Sequence, residues 1–309
     1  MSRETPKNLG ASVYARLLAQ ARQSGQEFQL LLMRYGLERL LYRLSQSEHR
    51  DEFVMKGAMM FVVWAGQPYR ATKDLDLLAL HSASRERFKE LFRELCAMRV
   101  VEDGLVFAAD SVEAEDIRED AAYQGVRVKL VTRLDTARIP LQVDIGFGDA
   151  VTPKPAKGEF PPLLEFPAPR LTMYRRETSI AEKFEAMVKL GILNSRMKDF
   201  YDIWVLSQEF EFEGETLSAS IGATFKRRKT ELVATVPLAL SAPFSTDPVK
   251  QRQWQAFAQR GRLRLPSTDF PAVVNVVRDF LMPAATAATH AKKFHSHWPK
   301  GGPWKRKPV

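Results

Sequence analysis

A proline-rich stretch in the middle of the chain limits what the sequence can fold into. Six prolines fall between Val151 and Arg170. Proline lacks a backbone N–H donor and fixes φ, so such a stretch supports neither a helix nor a central strand. With 309 residues, the chain is long enough for two domains. We therefore interpret residues 151–170 as a linker between an α/β domain and a helical domain.

The spacing of apolar residues predicts the elements on either side of this stretch. Helix is expected over positions 12–44, with breaks near Gly25 and Gly36. The α/β part is predicted to contain strands at 53–56, 75–80, 125–134 and 139–147 and helices at 58–65 and 84–98. Later helices are predicted at 179–190, 198–208 and 270–282, with less regular helix at 230–260. Ser179 and Glu182 match a Ser-x-x-Glu capping box.

These patterns suggest five segments. They are N-terminal helices (1–50), an α/β core (51–150), the linker (151–170), a helical domain (171–290) and a basic tail (291–309). A strand-and-helix core followed by helices places the chain in the α/β class.

Cysteine usage and hydropathy limit where the protein can work. The single cysteine, Cys96, lies in an apolar-periodic run, so neither an internal disulfide nor a thiolate zinc site can form. No apolar run approaches the roughly 20 residues that cross a bilayer. The first residues also lack the apolar segment of a signal peptide. We expect a cytoplasmic protein with no membrane partner.

Positive charge is concentrated in a few segments. The formal net charge is +9, and residues 280–309 contain no acidic residue. Basic clusters release counterions from a polyanion and favour a nucleic-acid partner. The clusters are 226–229, 260–264 and 292–293, with Lys226, Arg227, Arg228, Lys292 and Lys293 as predicted contacts. Aromatic residues interleaved with cations in the tail would add base stacking. The alternative is a solvated surface with a disordered tail, which composition alone slightly favours.

Two aspartates separated by one residue begin a predicted strand. Asp74 and Asp76 project from the same face, because side chains alternate along a strand. Like charges so close repel unless a cation lies between them, and two carboxylates with phosphate oxygens suit Mg²⁺. A third acid, Asp144, lies in another strand among apolar residues and needs a partner. Singly, each acid also fits a turn, an ion pair or a solvent-facing edge. Together they predict a metal site.

Gly57 lies where a predicted strand ends and a helix begins. Such a turn lets backbone N–H groups approach a phosphate. A lone glycine is weak support for a phosphate site. Ahead of Asp74, Asp76 and Asp144, however, Gly57 predicts a nucleotide site beside the metal.

Four blocks of sequence occur in an order shared with a known family. The blocks are Lys56-Gly57-Ala58-Met59-Met60, Arg70 to Asp76, Ile180-Ala181-Glu182-Lys183 and Arg196 to Asp202. Over residues 50–210 the chain resembles the AbiEii family, nucleotidyltransferase-like toxins of type IV toxin–antitoxin (abortive infection) systems. The resemblance implies a polymerase-beta-like nucleotidyltransferase core, a mixed sheet with flanking helices, followed by a mainly helical C-terminal domain.

The resemblance also assigns roles to residues of the blocks. Gly57 takes the place of the glycine in the phosphate-contacting turn, and Asp74 and Asp76 take the places of the metal-binding acids. Lys183 is expected near the nucleotide phosphates, and Asp199 matches the acid of the fourth block.

One position departs from the family pattern. Ala58 stands where the family often has a second glycine or a serine, so a serine hydroxyl for the phosphate is missing. Lys56 or backbone N–H groups would substitute for it. Arg70 is a further candidate for phosphate contact.

The acids and the resemblance together predict a metal-dependent nucleotidyltransferase. It would use Mg²⁺ or Mn²⁺ and a nucleoside triphosphate, with Asp144 completing the metal site and deprotonating the acceptor hydroxyl. Asp199 would orient Lys183 or the acceptor. The family implies the 3′ end of tRNA as acceptor and a cognate antitoxin as partner. Two alternatives remain open. One is a transferase acting on a protein or small-molecule hydroxyl, and the other is a non-catalytic protein that binds RNA or a partner.

Overall fold

The chain folds into two compact units in a computed structural model that describes residues 8–120, 123–261, 263 and 269–307. The first unit comprises residues 1–148 and 156–173, and the second comprises residues 149–155 and 174–309. The first unit is mixed α/β and the second is mainly helical, which confirms the predicted fold class. Among the described residues, no helix combines the length and the apolar character that a bilayer crossing needs.

The first unit is built on a seven-stranded mixed sheet with strand order β3-β4-β5-β2-β1-β7-β6. Neighbouring strands are parallel in the pairs β2–β5 and β1–β7 and antiparallel elsewhere. The strands are β1 (Phe53–Lys56), β2 (Asp74–Ala79), β3 (Leu105–Asp120), β4 (Tyr123–Leu134), β5 (Ala137–Phe147), β6 (Ala156–Glu159) and β7 (Arg170–Met173). Its helices are α1 (Leu9–Ser24), α2 (Phe28–Gln46), α3 (Met60–Ala65) and α4 (Arg85–Ala97), with a 3₁₀ turn at Glu48–Glu52.

Alternation along the central strands separates an apolar face from a polar face. Leu75 and Leu77 of β2 and Val143 and Ile145 of β5 are buried. They join apolar residues of α1, α2 and α4 in one core cluster. Burial of this face provides most of the driving force for the unit, since apolar burial contributes roughly 25 cal/mol per Å². The residues between them therefore project from the opposite face.

The two predicted helix breaks have different outcomes. Gly25 ends α1 in the left-handed conformation with φ 68°, as expected of a helix C-cap. Gly36 does not break α2, which runs unbroken from Phe28 to Gln46. A Cβ at position 36 would lie 2.9 Å from Leu141 Cδ2. The second prediction was wrong because Gly36 allows the helix to pack closely on β5.

Strand β3 is the largest element that the sequence analysis did not predict. Six of its 16 residues are aspartate or glutamate, residue types that are depleted in strands. It forms through long-range pairing with β4, with register shifts between Ala108 and Glu113 and between Arg118 and Asp120. Tertiary pairing therefore outweighs local propensity here.

The predicted linker does not begin and end where expected. Residues 156–159 form β6, which pairs antiparallel with β7 at the edge of the sheet. Phe160 is fully buried, and the Leu163 backbone N–H donates to Glu38 Oε2 over 2.8 Å. The prolines flank an edge strand, where no ladder donor is missed. Residues 156–173 thus belong to the first unit rather than to a linker.

The second unit is mainly helical. Its helices are α5 (Arg176–Leu190), α6 (Met197–Glu209), α7 (Gly214–Arg228), α8 (Ala242–Ser245), α9 (Pro248–Gly261) and α10 (Phe270–Thr289). A three-stranded sheet joins β8 (Phe212–Glu213), β9 (Ser296–Trp298) and β10 (Lys305–Arg306) in the order β10-β9-β8. The helices predicted at 179–190, 198–208 and 270–282 are confirmed, whereas α7 was not predicted.

The start of α5 corrects the predicted capping box. The helix begins at Arg176, so Ser179 lies inside its first turns, and its buried hydroxyl has no hydrogen-bond partner among the described residues. Glu182 instead accepts a hydrogen bond from the Tyr174 hydroxyl over 2.8 Å. The Ser-x-x-Glu pattern is therefore coincidental.

The basic tail is folded, not disordered, across its described residues up to 307. Trp298 is buried, and its Nε1–H donates to the Ser207 carbonyl over 2.8 Å. Trp304 donates to the Phe280 carbonyl over 2.9 Å and stacks on the Phe280 ring. Both tryptophan rings pack against other residues of the same chain. The predicted stacking of these two rings on nucleobases is therefore wrong.

Candidate active site

A row of charged side chains crosses the polar face of the large sheet. Each member lies directly opposite the next on the neighbouring strand, so all project from the same face. This charged row runs, in spatial order, through Lys56, Asp76, Asp144, Arg127 and Glu115. The row places the two strand-borne acids of β2 and β5 side by side.

Asp74 lies one step along the same face. It is two residues before Asp76 on β2 and stands opposite Gln142 of β5. The Thr72 hydroxyl donates to Asp74 Oδ1 over 2.6 Å. The three carboxylates that the sequence analysis grouped are therefore neighbours on one face. None lies on the apolar side of the sheet.

Gly57 follows β1 and lies against Asp76. Its φ of 78° belongs to the left-handed region that favours glycine. A Cβ at this position would lie 1.8 Å from Asp76 Oδ2, so any side chain here would displace the carboxylate. The next residue, Ala58, is buried, which leaves its backbone as the only group it offers to a ligand. The Gly57 turn thus fixes the position of Asp76.

Asp144 is held by a residue that the sequence analysis missed. Arg127 donates from Nε to Oδ1 and from Nη2 to Oδ2, both over 2.8 Å. Hydrogen bonding to Asp144 is the main cause of the raised pKa of Arg127. Gln142 Nε2 adds a contact of 3.2 Å to Oδ1. Counting outward from the turn at Asp135 and Thr136 would have placed Arg127 opposite Asp144.

Arg70 precedes β2 and is partly buried. Its Nη1 lies 3.4 Å from the carbonyl of Ala71. Its predicted contact with phosphate stays a prediction.

The second unit contains a buried ion-pair cluster around Lys183. Lys183 Nζ of α5 lies 2.8 Å from Asp199 Oδ1 and 2.8 Å from Asp202 Oδ2, both on α6. Arg196 Nε lies 2.7 Å from Asp199 Oδ2. Burial raises the pKa of Asp199, but the charges of Lys183 and Arg196 and their hydrogen bonds outweigh it and hold the pKa far below its usual range. Asp199 is fully buried, and its carboxylate contacts Lys183 and Arg196.

The chain matches the model of one protein family over most of its length. The model describes the nucleotidyl transferase AbiEii toxin of type IV toxin–antitoxin systems and matches residues 39–276. The chain belongs to the AbiEii family. Both the charged row and the Lys183 cluster lie inside the matched residues. Membership makes this AbiEii protein a nucleotidyltransferase of the toxin class, which implies a nucleotide substrate and a cognate antitoxin.

Comparison with other proteins adds two distant likenesses in fold. JHP933 from Helicobacter pylori matches with 12% identity and a TM-score of 0.49, covering 85% of this chain and 96% of that one. A proposed nucleotidyltransferase from H. pylori matches with 13% identity and a TM-score of 0.47, with the same coverage. Neither likeness bears on function at this level. No curated protein matches the AbiEii chain.

The basic residues predicted to contact nucleic acid fall into two groups. Lys226 and Arg227, in the last turn of α7, and Lys292 and Lys293, after α10, are exposed. Arg228 is instead enclosed by acids, with Nη2 2.9 Å from Asp149 and Nη1 2.9 Å from Glu185. The prediction for Arg228 was wrong, because a guanidinium so paired is engaged within the second unit. Arg262 and Arg264 lie outside the described residues.

Another cluster in the AbiEii protein has the composition of a metal site. Potential ligand atoms of Glu48, His49 and Glu94 lie within 4.8 Å of one another, a spacing that Asp74, Asp76 and Asp144 do not meet. His49 Nδ1 is 2.6 Å from Glu52 and its Nε2 is 3.1 Å from Glu94. Both ring nitrogens are thus occupied by ion pairs. Arg127 instead binds both carboxylate oxygens of Asp144, and Thr72 donates to Asp74.

Proposed function

We propose that this protein transfers nucleotides from a nucleoside triphosphate to the 3′ end of an RNA, namely tRNA, in a metal-dependent reaction. The supporting observation is the adjacency of Asp74, Asp76 and Asp144 on one face of the sheet. Three carboxylates at neighbouring positions repel one another, and a divalent cation bound among them would supply counter-charge.

The donor set fits Mg²⁺ or Mn²⁺. Asp74, Asp76 and Asp144 offer hard carboxylate oxygens on rigid strands, and the Gly57 turn leaves room for the carboxylate of Asp76. When bound, such a cation neutralises charge on the triphosphate and the departing pyrophosphate.

Residues of the chain perform the remaining steps. Lys56, Arg70 and the backbone N–H groups of Gly57 and Ala58 bind phosphate oxygens. Lys56 lies opposite Asp76 on the neighbouring strand. Asp199 and Asp202 hold the ammonium group of Lys183 in one orientation. The acceptor hydroxyl oxygen attacks the α-phosphorus, its proton passes to Asp144, and the bond to the β-phosphate oxygen breaks. Pyrophosphate leaves with the electron pair.

An RNA acceptor is favoured by charge. The chain carries a net charge of +9, and Lys226, Arg227, Lys292 and Lys293 lie on its surface. Exposed cations bind the phosphate backbone without reading sequence. The tRNA assignment follows from the family resemblance and not from a pocket.

The experiment is a transfer assay with matched acidic variants. Labelled nucleoside triphosphates, Mg²⁺ and total RNA are incubated with the wild type, Asp76→Asn and Asp116→Asn. Asp116 is an exposed acid on β3 of the same sheet, outside the charged row. We expect Asp76→Asn to lose at least 100-fold in label transfer and Asp116→Asn to retain it.

Other outcomes distinguish the alternatives. Label on protein or on a small molecule, with none on RNA, would identify a different hydroxyl acceptor. Equal transfer by the wild type and Asp76→Asn would remove the charged row from the mechanism. Salt-sensitive RNA binding without any transfer would identify a non-catalytic binding protein.

A further inference from the structure

The contact between Arg127 and Asp144 occupies the third carboxylate of the proposed site. Both oxygens of Asp144 accept from the guanidinium, each over 2.8 Å. A two-pronged pair of this kind has a defined geometry as well as charge assistance. An ion that binds either oxygen must share it with one of these hydrogen bonds and approach the positive charge of the guanidinium. Arg127 and a divalent cation therefore compete for Asp144.

Arg127 has a second acid within reach. Glu115 of β3 lies directly opposite Arg127 on the side away from Asp144. Side chains at such opposite positions have Cβ atoms about 5 Å apart, which an arginine side chain spans easily. Glu115 Oε1 now lies 2.7 Å from Lys129 Nζ. Lys129 is half exposed, so its pairing with Glu115 is easily exchanged.

The Arg127–Asp144 pair is more exposed than the ion pairs around Lys183. The side chains of Arg127 and Asp144 are 32% and 19% exposed, whereas Asp199 and Asp202 are fully buried. Water can replace the hydrogen bonds of a partly exposed pair as it opens. The Arg127–Asp144 pair is thus able to exchange partners, and the Lys183 cluster is not.

We propose that Arg127 is a positioning residue whose guanidinium neutralises and orients the Asp144 carboxylate in the absence of metal. When a divalent ion binds Asp144, the guanidinium moves to Glu115. The inference rests on the proposed function, because it concerns the metal-binding role of Asp144. In the metal-free protein Arg127 keeps the carboxylate oriented across the charged row. In the metal-bound protein Glu115 neutralises the displaced guanidinium.

The test measures Mn²⁺ affinity of the full-length protein by electron paramagnetic resonance titration. Arg127→Gln is compared with Arg133→Gln, which removes the same charge from the same face of β4. Arg133 lies opposite Arg138 on β5, whereas Arg127 lies opposite Asp144. We expect Arg127→Gln to bind Mn²⁺ about fivefold more tightly than Arg133→Gln, equivalent to about 1 kcal/mol. Removing an oriented structural arginine would weaken binding, so the sign of the change distinguishes the two roles.

A second variant tests whether Glu115 accepts the Arg127 guanidinium in the metal-bound protein. Glu115→Gln removes that acceptor and should weaken Mn²⁺ binding about twofold to fivefold. Its control is Glu113→Gln, which removes the same charge from the same face of β3 opposite Lys129. Circular dichroism and the unfolding midpoint of each variant report whether it is folded.

The outcomes separate this inference from the proposed function. If Arg127→Gln binds Mn²⁺ no more tightly than Arg133→Gln, or if Glu115→Gln matches Glu113→Gln, the exchange of partners is refuted while the metal site stands. If wild type and Asp76→Asn bind Mn²⁺ equally, the ion is not held by the charged row, and both proposals fail.

Discussion

The most informative single substitution outside the site is Glu38→Gln in α2. Glu38 is fully buried, accepts the Leu163 backbone N–H over 2.8 Å and lies 3.6 Å from Arg39. Burial raises its pKa from the ordinary 4.5 to about 7, and the hydrogen bond from Leu163 and the charge of Arg39 offset this only in part. Above neutral pH the folded unit must therefore hold a poorly compensated charge.

The sign follows from the direction of the shift. The folded state binds the Glu38 proton more tightly than the unfolded state, so this group stabilises the fold below pH 4.5. That stability is lost as the pH rises through about 7. A shift from 4.5 to about 7 corresponds to about 3 kcal/mol at 1.36 kcal/mol per pH unit. Glutamine keeps an acceptor for Leu163 but carries no charge, so Glu38→Gln should abolish this pH dependence.

Hydrogen exchange of the α2 amides measures the effect on the first unit alone. Protection of α2 peptides is compared between wild type and Glu38→Gln at pH 5, 7 and 8.5, after correction for intrinsic exchange rates. Glu48→Gln is the control, because Glu48 is 87% exposed. Between pH 5 and pH 8.5, we expect the free energy of opening of α2 in Glu38→Gln to rise by about 3 kcal/mol relative to the wild type. A difference that does not change with pH would refute the assignment of the titration to Glu38.

Three further substitutions test the site and the folded tail. Gly57→Ala should reduce label transfer at least tenfold, because its Cβ would meet Asp76, whereas Gly66→Ala, with a similar φ but open space around it, should not. Asp199→Asn leaves Lys183 and Arg196 undercompensated and should destabilise the second unit by about 3 kcal/mol in urea unfolding, against no change for the exposed Asp279→Asn. Trp298→Ala should cost about 3 kcal/mol by the same measurement without weakening RNA binding. Weaker RNA binding at unchanged stability would restore a stacking role for this ring.

Local patterns predicted the parts of the fold that local interactions determine. Ser84 caps α4 as expected, with its hydroxyl accepting from the Arg87 backbone N–H. The alternation of Asp74 and Asp76 with buried leucines correctly placed both acids on one face. The register of β2 against β5 brings Asp144 beside Asp76. The sequence analysis grouped these acids in one site, but it did not predict this long-range register.

Contacts between distant residues account for the failures. Nothing near Gly36 in sequence reveals that Leu141 packs against it. In the sequence, the aromatic residues of the tail resemble a surface that stacks on nucleobases. In the structure, Trp298 donates to the Ser207 carbonyl and Trp304 to the Phe280 carbonyl. Composition alone cannot distinguish an exposed ring that can stack on a nucleobase from a ring that packs within its own chain.

Burial decides which of these acid–base pairs can exchange a partner for a ligand. Asp199 and Asp202 have no exposed surface, so exchanging Lys183 for a metal would strand charges in a medium of low polarity. Asp144 keeps some contact with water, and its partner has another acid beside it. The cost of exchanging a cation at Asp144 is therefore about that of a partly exposed ion pair, roughly 1 kcal/mol. In the proposed mechanism, the depth at which each pair lies thus separates a fixed lysine, Lys183, from an exchangeable carboxylate, Asp144.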